Sequence, residues 1–142
     1  NSHTCEPKPS VAELLSTLDV LFVNGLKLEE PTKDLAVENL RDGAEIVEVG
    51  TRSIPKSQYA YDFSFPKSGG KPNPHLWTDP KYALKYAQII RDTLARRAPG
   101  HTAHFDATPD KFQTKVDAWC NASRACCPTI PAASRRHGRR RR

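Results

Sequence analysis

The sequence lacks the long apolar run that a membrane-spanning helix requires, because no uninterrupted hydrophobic stretch approaches 18 residues. It contains no methionine, and its first ten residues are polar and include two prolines, so no signal peptide is visible. We therefore expect no membrane span, and we expect an N-terminus that is either processed or truncated.

Cysteine is scarce and unevenly placed, with Cys5 near one end and Cys120, Cys126 and Cys127 near the other. Adjacent cysteines are poorly disposed to form a disulfide bond with each other. The Cys-x-x-Cys spacing that usually marks a structural zinc knuckle is absent from the sequence. The cysteines therefore indicate neither a secreted disulfide framework nor a zinc-stabilised fold.

A net positive charge is missing from most of the chain, although the whole sequence carries a net charge of +6. Seven arginines lie in residues 124–142, which contain no acid, so residues 1–123 carry a net charge of −1. A basic nucleic-acid-binding face spread over the fold is therefore not supported. The alternative function that stays open is binding of nucleic acid or an acidic surface through the run Arg135–Arg142.

The sequence also offers little for catalysis. Asp106 and Asp110 have the i, i+4 spacing of carboxylates on one helix face, but no nucleophile–base pair or glycine-rich phosphate loop accompanies them. Ser53 and Ser64 lack the context of a nucleophile elbow. We therefore expect no enzymatic activity and no organic cofactor.

Hydrophobic periodicity in the first 50 residues alternates between helix and strand. The predicted elements are a helix over 10–18, a strand over 20–24, a helix over 32–40 and a strand over 45–49. Ser10 is the predicted N-cap of the first helix, with Glu13 completing a capping box. This order favours an α/β lobe with a parallel sheet.

The second half of the chain begins with a long irregular stretch over 51–74, which is typical of a functional loop. Asp79 as N-cap and Pro80 at the first helical position predict a helix that ends at Pro99-Gly100. A second helical stretch follows, with a predicted break near Pro109. His101 and His104, three residues apart, are interpreted as part of a solvated face.

Three segments in order resemble the metal-binding solute receptors of zinc/manganese ABC importers. They are His3–Ser10 (His-x-x-Glu-Pro-x-Pro-Ser), Asp19–Glu29 (a strand followed by Asn-Gly and Leu-Glu) and Asn73–Pro80 (Asn-Pro-His-x-Trp-x-Asp-Pro). The likeness covers about residues 1–118, and 72 residues separate the histidines of the first and third segments.

The resemblance implies a fold and a metal site. It implies a Rossmann-like N-terminal lobe over 1–98, with a small parallel sheet flanked by helices, and the start of a long connecting helix over 99–118. It makes His3 and His75 two of four ligands to Zn²⁺ or Mn²⁺, the other two belonging to a second lobe. We expect both imidazoles to face one groove at the carboxyl edge of the sheet. Cys5 is interpreted as a small hydrophobic residue rather than a ligand.

The resemblance further implies the substrate-binding component of a bacterial ABC importer. It would be extracytoplasmic, would carry Zn²⁺ or Mn²⁺ as its transported ligand, and would deliver it to the importer permease, with no nucleic-acid partner. Residues 119–142 are predicted to be a disordered arginine-rich tail, which we interpret as an out-of-frame translation of GC-rich DNA. The chain would then be a truncated receptor with half of the metal site and a weakened affinity for metal.

Overall fold

The computed structural model describes residues 8–126. In this range helices and strands alternate over the first four elements, and three α-helices follow the second strand. In chain order the elements are α1 (Pro9–Leu15), β1 (Val20–Val23), α2 (Glu30–Asn39), β2 (Glu45–Glu48), α3 (Val49–Ser53), α4 (Pro80–Arg97) and α5 (Thr102–Cys126). None of the helices in the described range is long and apolar enough to cross a membrane.

The two strands pair in parallel, with Val20 opposite Glu45 and Val23 opposite Glu48. Helix α2 makes the crossover that parallel pairing requires. Both this helix and the sheet contribute to the core of the lobe, because Ala36 of α2 and Val47 of β2 are both fully buried. The predicted α/β lobe with a small parallel sheet is therefore confirmed, and each strand is one residue shorter than predicted.

Helix α1 differs from its prediction at both ends. It starts at Pro9, and the residue before it, Lys8, makes no side-chain capping bond, so the predicted capping role of Ser10 is wrong. Proline suits the first turn of a helix because its φ is already helical, which moves the start one residue earlier. The hydroxyls of Ser16 and Thr17 donate to carbonyls of the last turn, where the helix ends.

Helix α4 begins as the sequence predicts. The carboxylate of Asp79 accepts a hydrogen bond from the backbone N–H of Lys81 at 2.9 Å, and Pro80 occupies the first turn. The helix packs against α3, against α5 and against a 3₁₀ turn at Leu76–Thr78. Helix α4 therefore supports the 3₁₀ turn that immediately precedes it and follows His75.

Helix α5 is longer and more continuous than predicted. Pro109 lies inside it, so the predicted break is wrong, and the helix continues to Cys126. Proline removes one backbone donor but does not end this helix, which packs against α4 along its course. Residues 119–126 are therefore helical rather than disordered, and the rest of the predicted tail lies outside the described residues.

Candidate metal site

The predicted ligand His75 lies at the carboxyl end of β1. Asn24 follows the last residue of this strand, and its side-chain Nδ2 donates to the carbonyl oxygen of Pro74 at 3.1 Å. Pro74 is fully buried, so this contact fixes the backbone immediately before His75. The crevice beyond the carboxyl ends of parallel strands is where open α/β sheets bind ligands.

Tyr86 of α4 holds Asn24 from the other side. Its hydroxyl donates to Asn24 Oδ1 at 2.7 Å, across 62 residues of sequence. Burial, with a smaller contribution from the nearby Glu29 carboxylate, raises the pKa of Tyr86 to about 12. The phenol therefore remains protonated and keeps donating, so that both polar atoms of the Asn24 amide are used to anchor the loop.

The turn after β1 has an unusual backbone. Gly25, Leu26 and Lys27 all have positive φ angles, of 75°, 54° and 62°. Such angles are uncommon for residues with a side chain and persist where surrounding contacts impose them. The Glu29 carboxylate accepts hydrogen bonds from the backbone N–H groups of Asn24 and Gly25, and the Leu26 N–H donates to a hydroxyl of α3. These three hydrogen bonds hold the turn in one conformation beside the candidate site.

The His75 imidazole is held by Asn73. Asn73 Oδ1 lies 3.0 Å from the backbone nitrogen of His75 and 2.8 Å from its ring Nδ1. The ring also meets two aromatic neighbours edge-on, with centroid distances of 5.5 Å to Phe65 and 5.1 Å to Trp77. A partly buried imidazole with a fixed plane results, as a metal ligand requires.

Asp62 completes this arrangement on the far side of Asn73. Its Oδ2 accepts from Asn73 Nδ2 at 2.7 Å, and its Oδ1 accepts from the backbone N–H groups of Ser64 and Phe65. The Asn73 amide, these two N–H groups and the nearby His75 together hold the pKa of the Asp62 carboxyl below its ordinary value. The group is therefore a carboxylate at neutral pH.

The other predicted ligand, His3, lies outside the described residues, as does Cys5. The predicted proximity of the His3 and His75 imidazoles therefore stays a prediction. Among residues 8–126, no three histidine, cysteine, aspartate or glutamate side chains converge as a metal site would need.

Two further groups singled out in the sequence lie near the junction of α4 and α5. His101 and His104 are exposed and lie beside Phe105, at centroid distances of 6.4 and 5.9 Å. Asp106 forms an ion pair with Arg91 of α4 at 2.6 Å. The ion pair joins α4 to α5, which gives Asp106 a role in helix packing.

Sequence reasoning did not assign roles to Asp62, Asn73, Asn24 or Tyr86. Asp62 carried one usable signal, because an aspartate that caps two following backbone N–H groups is a common turn former. The partners of Asn24 lie 50 and 62 residues away, and no local pattern reports them.

Two solved structures establish the class to which the fold belongs. The periplasmic zinc-binding protein TroA from Treponema pallidum superimposes with a TM-score of 0.73 and 24% identity, covering 92% of this chain and 44% of that one. A Mn-bound periplasmic metal-binding protein from Candidatus Liberibacter asiaticus gives 0.68 and 24% identity, covering 81% of this chain and 40% of that one. The chain therefore has the fold of periplasmic metal-binding proteins.

Sequence relatives point to the same class. The manganese-binding lipoprotein MntA of Halalkalibacterium halodurans is 40% identical over 112 residues, which are 78% of this chain and 33% of that protein. The iron-binding protein YfeA of Yersinia pestis is 26% identical, over 94% of this chain and 40% of that protein. The chain thus spans about a third to two fifths of the length of these two relatives.

The family match extends further along the chain than the three segments His3–Ser10, Asp19–Glu29 and Asn73–Pro80. Residues 1–137 match the family described as zinc-uptake complex component A, periplasmic (ZnuA). The chain belongs to this family. The resemblance seen in the three sequence segments is thereby confirmed, and the match continues past residue 118 into the segment that the sequence had set apart.

Proposed function

We propose that this chain forms part of the extracytoplasmic metal receptor of a bacterial ABC importer, with His75 as one ligand to a transported Zn²⁺ or Mn²⁺ ion. The observation that carries the proposal is the position of His75. Its imidazole lies at the carboxyl end of β1, with its ring plane fixed by Asn73 and by two aromatic rings. Rigid presentation of an imidazole serves metal binding, because a ligating histidine needs its ring orientation and tautomer fixed by its neighbours.

His3 is the second ligand in this proposal. The family match includes both histidines, and the segment that contains His3 leads directly into α1. Two imidazoles fill two positions of a four-coordinate site. In the receptors that the chain resembles, a second lobe supplies the other two ligands, and the chain spans only 33% and 40% of the relatives MntA and YfeA.

The family match supports a role in transport, and the partner in this proposal is the permease of the importer. The receptor binds the ion outside the cytoplasm and releases it to the permease, a function that needs reversible coordination and no chemical step. Imidazole ligands bind Zn²⁺ more tightly than Mn²⁺, following the usual order of first-row divalent ions. We therefore expect the histidine pair by itself to prefer zinc.

Calorimetric titration of the metal-free 142-residue chain with Zn²⁺ tests the proposal. His3→Ala and His75→Ala should each weaken binding at least tenfold, a loss of about 1.4 kcal/mol or more. His104→Ala is the matched control, because this exposed imidazole lies on α5 and should leave the dissociation constant unchanged.

Two results of the zinc titration would contradict the proposal. Zinc binding that survives His75→Ala unchanged, in a protein with wild-type circular dichroism, would remove His75 from the site. Binding that is lost on His104→Ala instead would move the site to the exposed histidine of α5.

A further inference from the structure

We infer that Asp62 and Asn73 are positioning residues, which hold the proton of neutral His75 on Nδ1 and thereby present Nε2 to the transported metal. The inference deepens the proposed function and rests on it, because it concerns how one ligand of that site is prepared. It arises from a chain of three side chains, in which Asp62 contacts Asn73 and Asn73 contacts His75.

The orientation of the Asn73 amide is fixed by two independent neighbours. The backbone nitrogen of His75 can only donate, so the Asn73 atom 3.0 Å away from it is the oxygen. The Asp62 carboxylate can only accept, so the Asn73 atom 2.7 Å away from it is the amide nitrogen. Both neighbours demand the same orientation, and a flipped amide would face a donor with a donor and an acceptor with an acceptor.

The orientation of Asn73 decides the tautomer of His75. Asn73 Oδ1 has no hydrogen, and it lies 2.8 Å from His75 Nδ1. A hydrogen bond at this distance requires Nδ1 to carry the proton, and in a neutral imidazole the lone pair is then on Nε2. Nε2 is therefore the nitrogen that can coordinate an ion.

Asp62 sets the direction of the hydrogen bonds in this chain of Asp62, Asn73 and His75, which we call the relay. Its two oxygens receive hydrogen bonds from the Asn73 amide and from the N–H groups of Ser64 and Phe65, all of which favour the ionised form. As a carboxylate it cannot donate to Asn73. Linked hydrogen bonds polarise one another, so the negative charge at one end also favours donation by His75 Nδ1 at the other end.

The relay is complete without a metal, because the loop that carries it is closed by its own backbone. The N–H of Asn73 donates to the carbonyl of Ala60 at 2.8 Å, and the N–H of Asp62 donates to the carbonyl of Phe65 at 3.0 Å. Asp62 and Asn73 are thereby brought together across 11 residues of sequence. The relay should consequently be measurable in the metal-free protein.

The test is nitrogen-15 NMR of the imidazole of His75 in the metal-free chain, at a pH where this group is neutral. In the wild type we expect a protonated Nδ1 and an unprotonated Nε2. Asn73→Ala removes the acceptor, and Asp62→Asn replaces a group that only accepts with one that also donates. Both variants should shift the resonances toward a mixture of the two tautomers. Ser64→Ala is the control, because Ser64 contributes its backbone N–H and should leave the tautomer unchanged.

Zinc titration of the same variants supplies the second measurement. Loss of a hydrogen-bonding partner of a ligating histidine typically weakens metal binding 10- to 100-fold, and we expect this range for Asn73→Ala. In the zinc-bound wild type, the nitrogen-15 shifts should identify Nε2 as the coordinating atom.

The outcomes separate the two proposals. A protonated Nδ1 in wild type that is lost in both variants, without any zinc binding, would support the relay and overturn the proposed function. Zinc binding that depends on His75, combined with a proton on Nε2 or with coordination through Nδ1, would overturn the relay alone. The relay would also fall if Asn73→Ala, folded as judged by circular dichroism, kept the wild-type tautomer.

Discussion

Gly50 is a position where a single methyl group should disturb the support of the site by crowding alone. Its N–H donates to the carbonyl of Asn24 at 2.8 Å, so the start of α3 lies against the end of β1. A Cβ at Gly50 would lie 2.5 Å from the Tyr86 hydroxyl oxygen and 2.7 Å from the Asn24 carbonyl oxygen. Both distances are shorter than real contacts of a Cβ atom, and the second involves backbone that cannot rotate away.

The expected cost of Gly50→Ala follows from these contacts. Overpacking of this kind costs about 1–3 kcal/mol. With an unfolding entropy of roughly 2.1 cal/mol/K per residue, that loss lowers the Tm of a chain of this length by roughly 3–10 °C. Gly50 does not have a positive φ angle, so the effect should come from crowding and not from backbone strain.

Gly100→Ala is the matched control for this prediction. It also lacks a positive φ angle, and a Cβ there would meet no atom within 4 Å. Both substitutions reduce the freedom of the unfolded chain to a similar degree, so this contribution cancels when the two are compared. The assay is thermal unfolding followed by circular dichroism, and equal Tm values for the two variants would refute the reasoning.

Three further predictions concern single contacts. Tyr86→Phe removes the donor to Asn24, so it should lower the free energy of unfolding by about 1 kcal/mol in urea titrations. Asp79→Ala removes the N-cap of α4 and should also cost about 1 kcal/mol, whereas Asp79→Asn should restore most of it. Hydrogen bonding and ion pairing with Lys33 lower the pKa of Glu48 from its ordinary 4.5. The pair should therefore stabilise the fold above that pH and lose its contribution as the pH falls below it. Glu48→Gln should flatten this part of the stability profile, and an unchanged profile would contradict the assignment.

The anchoring of His75 links these predictions to metal binding. Tyr86 and Gly50 both contact Asn24, and Asn24 holds the carbonyl of Pro74. A substitution at either position should therefore displace the backbone before His75 through Asn24. We expect Gly50→Ala to weaken zinc binding as well as to lower Tm.

The local sequence predicted most of the secondary structure, because the signals act within a few residues. The apolar, β-branched run at 20–24 and the alternating segment at 45–49 each gave a strand in the expected place. Asp79 and Pro80 gave the start of α4, since capping depends on neighbouring residues. The histidine in the Asn-Pro-His-x-Trp segment was recognised because this segment resembles one in the family of metal receptors.

The continuity of α5 and the surroundings of His75 were decided by tertiary structure. Pro109 predicts a break when it is considered alone, but packing against α4 outweighs the lost hydrogen bond. The sequence by itself thus determined most of the elements, although not α3, and it indicated to which family the chain belongs and which histidine to examine. Only the fold determined that Asp62, Asn73 and His75 form one hydrogen-bonded chain and that Asn24 and Tyr86 support it. The physical reason is that a hydrogen bond depends on distance and direction in space, and residues 11 to 62 positions apart acquire these only when the chain folds.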